Sequence, residues 1–196
     1  MIKNLVAVAT LVLLSSFVAP LPADVKNYFN IAEEQSFDKL NYKLSWSSHP
    51  AENYYKQEYL PAGETSEHFD HMLVMDFAIT GASASQLAQQ KKAELEKLKQ
   101  SDPIVNYALY EKEGEIMLDF LLSDSSSGSL NIVEHNIYRY KSYTDKAGHK
   151  GVLLIGISER AYGKNITPFL TALKKTRVDQ LNKFAVYKIP AIEIKP

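Results

Sequence analysis

The chain has 196 residues, 45% hydrophobic and 23% charged, with a formal net charge of −1. That length and balance fit one globular domain, and no basic excess argues for nucleic acid or for an anionic membrane surface. The absence of cysteine excludes disulfides, thiolate metal sites, a cysteine nucleophile and a lipidated N-terminal cysteine together.

The first 23 residues read as a leader. Lys3 supplies a positive start, and Leu5–Val18 is an apolar run of 14 residues. A bilayer span needs about 20, so this length suits a signal-peptide core instead. Cleavage after Ala19 would leave Pro20 first, which is unfavourable. Cleavage after Ala23 leaves Asp24 first, with Leu21 at the −3 position, larger than ideal. The expected cut is Ala23–Asp24, which makes 24–196 a single exported domain, periplasmic or secreted, with no membrane span after the leader is removed. An uncleaved anchor would leave the domain on the same side of the membrane.

In chain order, Asp24–Phe37 has no firm period and receives no element. Leu40, Tyr42, Leu44 and Trp46 alternate as in a half-buried strand. Ser47-Ser48-His49-Pro50 is turn-like, and Tyr55, Gln57 and Tyr59 alternate in a second strand, Tyr54–Leu60. Together they predict an aromatic-rich hairpin. Pro61 and Gly63 stop it, and Thr65 is placed to cap a short helix with Phe69, Met72 and Leu73 on its apolar side. From Leu73 the period drops to two through Met75, Phe77 and Ile79, a further strand.

Ser83 with Gln86 three residues on is a capping box. It opens a helix over Ala84–Gln100, with Leu87, Ala88, Leu95 and Leu98 on one stripe. Asp102-Pro103 ends that helix. Four strands follow at Ile104–Glu111, Glu115–Ser123, Leu130–Tyr143 and Gly151–Ser158. Their connections are too short for a parallel crossover, so neighbours must run antiparallel. Thr167 before Pro168 starts a last helix to about Phe184, with Leu170, Leu173, Leu181 and Phe184 apolar, and Val186–Pro196 is an extended tail. The fold class is α+β: an antiparallel β-sheet with helices packed against it in a single domain. Glu115–Ser123 and Gly151–Ser158 are apolar on both sides, so both faces of the sheet should be covered.

An exported chain with an early hairpin, a central antiparallel sheet and a long C-terminal helix resembles the PsbP-type sandwich, the fold of a photosystem II accessory protein. The resemblance is one of element order over most of the mature chain. It carries no residue motif, and therefore no functional residue. It implies an accessory that works through partners rather than an enzyme.

Two constellations are candidates for chemistry. His68 and His71 share a side of the expected short helix with Glu64, which could give zinc two nitrogens and an oxygen. The HExxH pattern is missing, and solvated surface histidines are the plainer reading, so no metal or other cofactor is expected. In the hairpin after Glu115, a register centred near Ser127 sets Asp119 opposite His135, a carboxylate able to orient an imidazole as a general base. A slip of one residue would pair Asp119 with Glu134 instead, and a cross-strand polar pair is the simpler account. Ser125-Ser126-Ser127-Gly128 lacks the G-x-S-x-G frame of a nucleophile elbow.

Binding residues are better marked. Twelve tyrosines and one tryptophan make the chain aromatic, and Trp46, Tyr55 and Tyr59 gather on the first hairpin. Glu134 and Arg139 put charge into an otherwise apolar strand, where buried polar groups must be paired or line a cleft. Arg139 could hold an anion in a fork, or a carboxylate such as Glu134, Asp119 or Asp76. The leading expectation is an exported, non-catalytic binding or accessory protein, whose protein or small-molecule partner is met outside the cytoplasm. It would act through the aromatic hairpin and the adjoining cleft. The alternative is a small metal-dependent or acid/base hydrolase using His68/His71 or Asp119/His135. Intact mass of the chain recovered outside the cytoplasm should correspond to a first residue of Asp24; a chain still starting at Met1 in a soluble fraction would count against the leader.

Overall fold

The computed structural model describes residues 25–125 and 128–195. The expected leader, and Ser126 and Ser127 of the serine-rich tip, lie outside the described residues.

Eight strands form one antiparallel sheet: β1 (Glu34–Phe37), β2 (Leu40–Ala51), β3 (Tyr54–Leu60), β4 (His71–Ile79), β5 (Asn106–Lys112), β6 (Glu115–Asp124), β7 (Ile132–Thr144) and β8 (Lys150–Tyr162). Helix α1 (Ala84–Leu98) follows β4, and α2 (Ile166–Ala185) follows β8 through one 3-10 turn. The spatial order is β1-β2-β3-β4-β8-β7-β6-β5. Two four-stranded meanders therefore meet at β4 and β8, each β-hairpin-connected within itself. The link between them carries α1 over one face to reach the far edge at β5.

Side-chain alternation assigns the two faces. Ala84, Ala88 and Leu95 of α1 pack on Ile116, Leu118, Phe120, Tyr140 and Val152. On the opposite face Phe184 of α2 joins Tyr42, Tyr55, Tyr59, Met75, Phe77, Ile137 and Ile155. Phe29, Ile192 and Ile194, from the two ends of the described chain, close the same core. The tail is tied there by Glu193 N donating to Phe29 O (2.9 Å) and Ile194 N to Asp145 Oδ2 (2.9 Å). Each face carries a helix, as the doubly apolar strands require.

Helix α1 opens on the capping box: Gln86 N donates to Ser83 Oγ at 3.1 Å, and Ser83 N to Gln86 Oε1 at 2.8 Å. Four local expectations change. Leu98 is 45% exposed, because α1 ends there and its last turn runs beyond the sheet. The N-cap of α2 is Asn165, two residues before Thr167. The first hairpin turns at 52–53, after Ala51, and Pro50 is absorbed in a bulged stretch of β2. No helix forms over 65–72; these residues make turns and bends that lead into β4 at His71. There Thr65 caps a tight turn, its Oγ1 accepting from His68 N at 3.2 Å. Phe69 and Met72 are buried by packing with Leu60 and Val74, so their apolar spacing serves the sheet rather than a helix.

Two glycines in β8 set how closely its neighbours approach. A Cβ on Gly156 would lie 2.5 Å from the ring of Tyr138, its cross-strand partner, and 2.9 Å from Val74. A Cβ on Gly151 would lie 1.9 Å from the Ala78 carbonyl oxygen. A ring can rotate away, whereas a paired strand must move bodily. Gly156→Ala should therefore destabilise by about 1–3 kcal/mol, the range for overpacking, and Gly151→Ala by more; chemical denaturation of the two variants checks the order.

Candidate functional site

Helix α1 covers the β5–β7 part of its face. Over β2, β3 and β4 the same face is left open, and the segment 61–70 walls it from the other side. The result is a cleft of about 340 Å³ lined by Trp46, Lys56, Glu58, Ser66, Phe69, Met72, Val74, Asp76, Glu134, Tyr138, Leu154, Ser158 and Arg160. Alternation explains the set: Glu58, Val74, Gly156 and Tyr138 form one cross-strand row, and Lys56, Asp76 and Leu154 the next. The absence of a side chain at Gly156 lets the Tyr138 ring lie flat across the floor.

Asp76 lies in the middle of β4, one of the two strands at which the meanders join. Its Oδ2 accepts the Tyr54 hydroxyl at 2.5 Å. Its Oδ1 is shielded from water and has no hydrogen-bond partner among the described residues. Lys56, directly across the strand pair, makes no ion pair with it within 4.0 Å; the Lys56 ammonium stands 6.0 Å from the Trp46 ring centroid. Burial pushes the Asp76 carboxyl above its ordinary range, against the opposing pull of Lys56 and Tyr54. Burial and the Asp76 charge likewise push the Tyr54 phenol up. At the far end of the cleft Glu134 is paired with Arg160, whose guanidinium lies 3.9 Å from the Phe69 ring centroid. Behind Ser158, fully buried Asn136 accepts from the Ser158 hydroxyl at 2.6 Å, and its Nδ2 has no partner among the described residues.

The residues expected to bind are divided among three places. Trp46 (39% exposed) and Glu134 line this cleft. Tyr55 and Tyr59 point to the other face and are core residues; Tyr55 stacks on His49 with ring centroids 4.1 Å apart, and the Tyr59 hydroxyl accepts from Gln57 at 2.6 Å. A bulge between Leu44 and Trp46 is what separates the hairpin's aromatics, turning Trp46 away from Tyr42. Arg139 closes the end of α2: it donates to the carbonyls of Phe184 (2.8 Å) and Tyr187 (3.0 Å) and to Glu115 (2.6 Å). Its fork is filled by the chain's own acceptors, and its carboxylate partner is Glu115 rather than Glu134, Asp119 or Asp76.

The two chemical constellations also take definite places. Without a helix, His68 and His71 lose their shared side. The His68 ring stacks on Tyr162 at 4.3 Å, and Glu64 Oε2 accepts the backbone amides of Asp70 and His71. Among the described residues no three His, Asp or Glu side chains stand together as a metal site. Asp119 and His135 do meet, at 2.8 Å, although the hairpin register is offset by two residues from the expected one and pairs Asp119 with Ile137. An even offset keeps the face, and the contact becomes a diagonal one. The second oxygen of Asp119 accepts Arg177 Nε at 2.6 Å, so the carboxylate is fully used in tying α2 to the sheet. The adjoining cavity of about 380 Å³ has no hydroxyl in its lining.

The sequence offers Asp76 only as a partner for Arg139 and does not mark Lys56 or Ser158. Asp76 interrupts the run of Leu73, Val74, Met75 and Phe77, and that break was the available signal; its partner Tyr54 lies 22 positions away.

Residues 29–189 match the model of one protein family, and the chain belongs to it. The match takes in every strand and both helices. No curated protein and no solved structure matches the chain.

The state of Asp76 gives a signed expectation. The folded chain keeps its proton to higher pH than the unfolded chain, so the folded form holds more protons between the two pKa values. Stability contributed by this group therefore falls as pH rises through that window. Asp76→Asn removes the loss, and should raise the melting temperature at pH 7 while leaving it unchanged at pH 3; a lower melting temperature at pH 7 would contradict the assignment.

Proposed function

We propose that the chain is an exported, non-catalytic binding protein that takes a small ligand, or one side chain of a larger partner, in the cleft between Trp46, Asp76 and Arg160. One observation carries the reading. A carboxylate sits in the centre of the sheet, beside a cavity, with one oxygen unpartnered. Such a group weakens the fold, and a chain of this composition can fill the position with an apolar residue. Costly, half-satisfied polar groups in clefts are typical of sites that await a ligand.

The size of the cleft supports the same view, since small-molecule pockets run from roughly 300 to 1,000 Å³. So does its mixed lining, with an apolar floor of Met72, Val74 and Leu154 and polar groups at a few fixed points. Export follows from the expected leader, and an accessory role agrees with the likeness in element order to the PsbP-type sandwich. Binding rather than catalysis is favoured because the buried Asp119–His135 pair is committed to holding α2, and the cleft contains no imidazole.

Trp46 is the only tryptophan, so the protein's own fluorescence reports on the rim. Titration with the low-molecular-weight fraction of the extracytoplasmic extract should give a saturable change in emission. Ser66→Phe, which fills the mouth from the 61–70 wall, should abolish it. An equal response in that variant, or no response to any fraction, would sink the reading.

A further inference from the structure

We propose that the cleft recognises a primary alkylammonium group, with the Asp76 carboxylate as its counter-charge and the Trp46 ring beside it. The inference rests on reading this cleft as the binding site, and adds the chemical class of what enters it.

An ionised carboxylate oxygen only accepts, so the complement of the free Oδ1 is a donor. A positively charged donor does more than a neutral one, because it also restores the charge balance of a carboxylate that burial penalises. The chain's own cations leave this role open. Arg160 is held by Glu134 and covers Phe69. Lys56 is beyond ion-pair distance of Asp76 and rests near Trp46, a sign that the ring tolerates an ammonium. An anionic ligand would meet Glu58, Asp76 and Glu134, with Arg160 already paired and only Lys56 to offset the three carboxylates. The apolar floor of Met72, Val74 and Leu154 suits an alkyl stem that ends in the charge. A free amine and the side chain of a lysine offer the same group.

Lys56 is then the internal competitor for the Asp76 charge, which gives two substitutions with opposite signs. Alkylamines stay protonated to pH about 10, so in the acid range only the protein titrates. The groups that act on Asp76 are Tyr54, Lys56 and Glu58 from β3, and Tyr138 and Tyr140 from β7. The tyrosines, whose hydroxyls burial pushes up, stay neutral from pH 5 to 8. Affinity for an ammonium should accordingly rise with pH as Asp76 ionises, and then level off.

The experiment is a titration of Trp46 emission at constant ionic strength with n-butylamine, acetyl-Gly-Lys-Gly-amide, n-butanol and butyrate. The expected result is saturable binding of the two amines, at least tenfold weaker in Asp76→Asn and severalfold tighter in Lys56→Met, with both variants melting cooperatively. Tighter binding of the tripeptide would assign the group to a lysine side chain, and tighter binding of butylamine to a free amine. Amine affinity unchanged in Asp76→Asn overturns the proposal, as does the absence of a saturable amine response. If butanol or butyrate saturates the wild type but not Ser66→Phe while the amines do not, the ammonium assignment falls and the cleft stands. If neither these probes nor the extract gives a saturable response, both fall.

Discussion

The structure depends on the antiparallel pairing of β4 with β8, the seam at which two four-stranded meanders become one sheet. Leu73, Met75 and Phe77 of β4 and Leu153, Ile155 and Ile157 of β8 are packed in the core on the α2 side, while their other face is shared between α1 and the cleft. Close approach at the seam is built into the sequence: Gly151 faces the Ala78 carbonyl with no room for a Cβ, and Gly156 accepts the Tyr138 ring in place of its own side chain. Each half brings a helix or a terminal segment, and neither half could cover its own apolar faces. Tyr42, Tyr55 and Tyr59 of the first meander pack with Ile137, Ile155 and Phe184 of the second, which makes the fold one cooperative body.

Within that body, polar groups fall into two kinds. Asp119 gives one oxygen to His135 and the other to Arg177; Arg139 fills its fork with Glu115 and the final carbonyls of α2. These are closed networks, and they hold α2 at a fixed place on the sheet. Asp76 is of the other kind. It has one partner and one shielded, unused oxygen among the described residues, and it lines an open cleft. The contrast in one sheet between a buried, fully satisfied carboxylate and a part-buried one with a shielded, unpartnered oxygen is the physical reason the proposed site is on the α1 face rather than beside the histidine. It also separates a network that looks catalytic by composition from a cleft that has the features of recognition.

The cleft exists because α1 packs on β5 to β7 and leaves the same face of β2 to β4 without a helix. The segment 61–70 does not form the helix that would have sealed the remainder. It packs Phe69 inward against Met72 of β4 and leaves its backbone in turns and bends, a wall rather than a lid. The bulge in β2 then sets Trp46 at the rim, on the face opposite the other aromatics of its hairpin.

Much of this was legible in the chain itself. Seven of the strands were legible, three by period-two alternation, which records which side of a sheet is buried, and four as runs between short turns; the Ser83/Gln86 box and the apolar stripes marked both long helices, because caps and stripes are local. Short connections dictated antiparallel neighbours. Strand β1 was missed because four edge residues carry no period, and the helix at 65–72 was expected because Phe69, Met72 and Leu73 repeat at helical spacing while packing as parts of a turn and a strand. What only the tertiary structure decided was the joining of β4 to β8, the face on which each polar residue lies, and the pairing state of each. Glu134 and Arg139 look alike in sequence, yet one lines the cleft and the other caps a helix, since a side chain's partners come from strands and helices distant along the chain. Asp76 is the same case: its solvent-shielded, unpartnered oxygen is a property of the cavity around it, not of its neighbours in sequence.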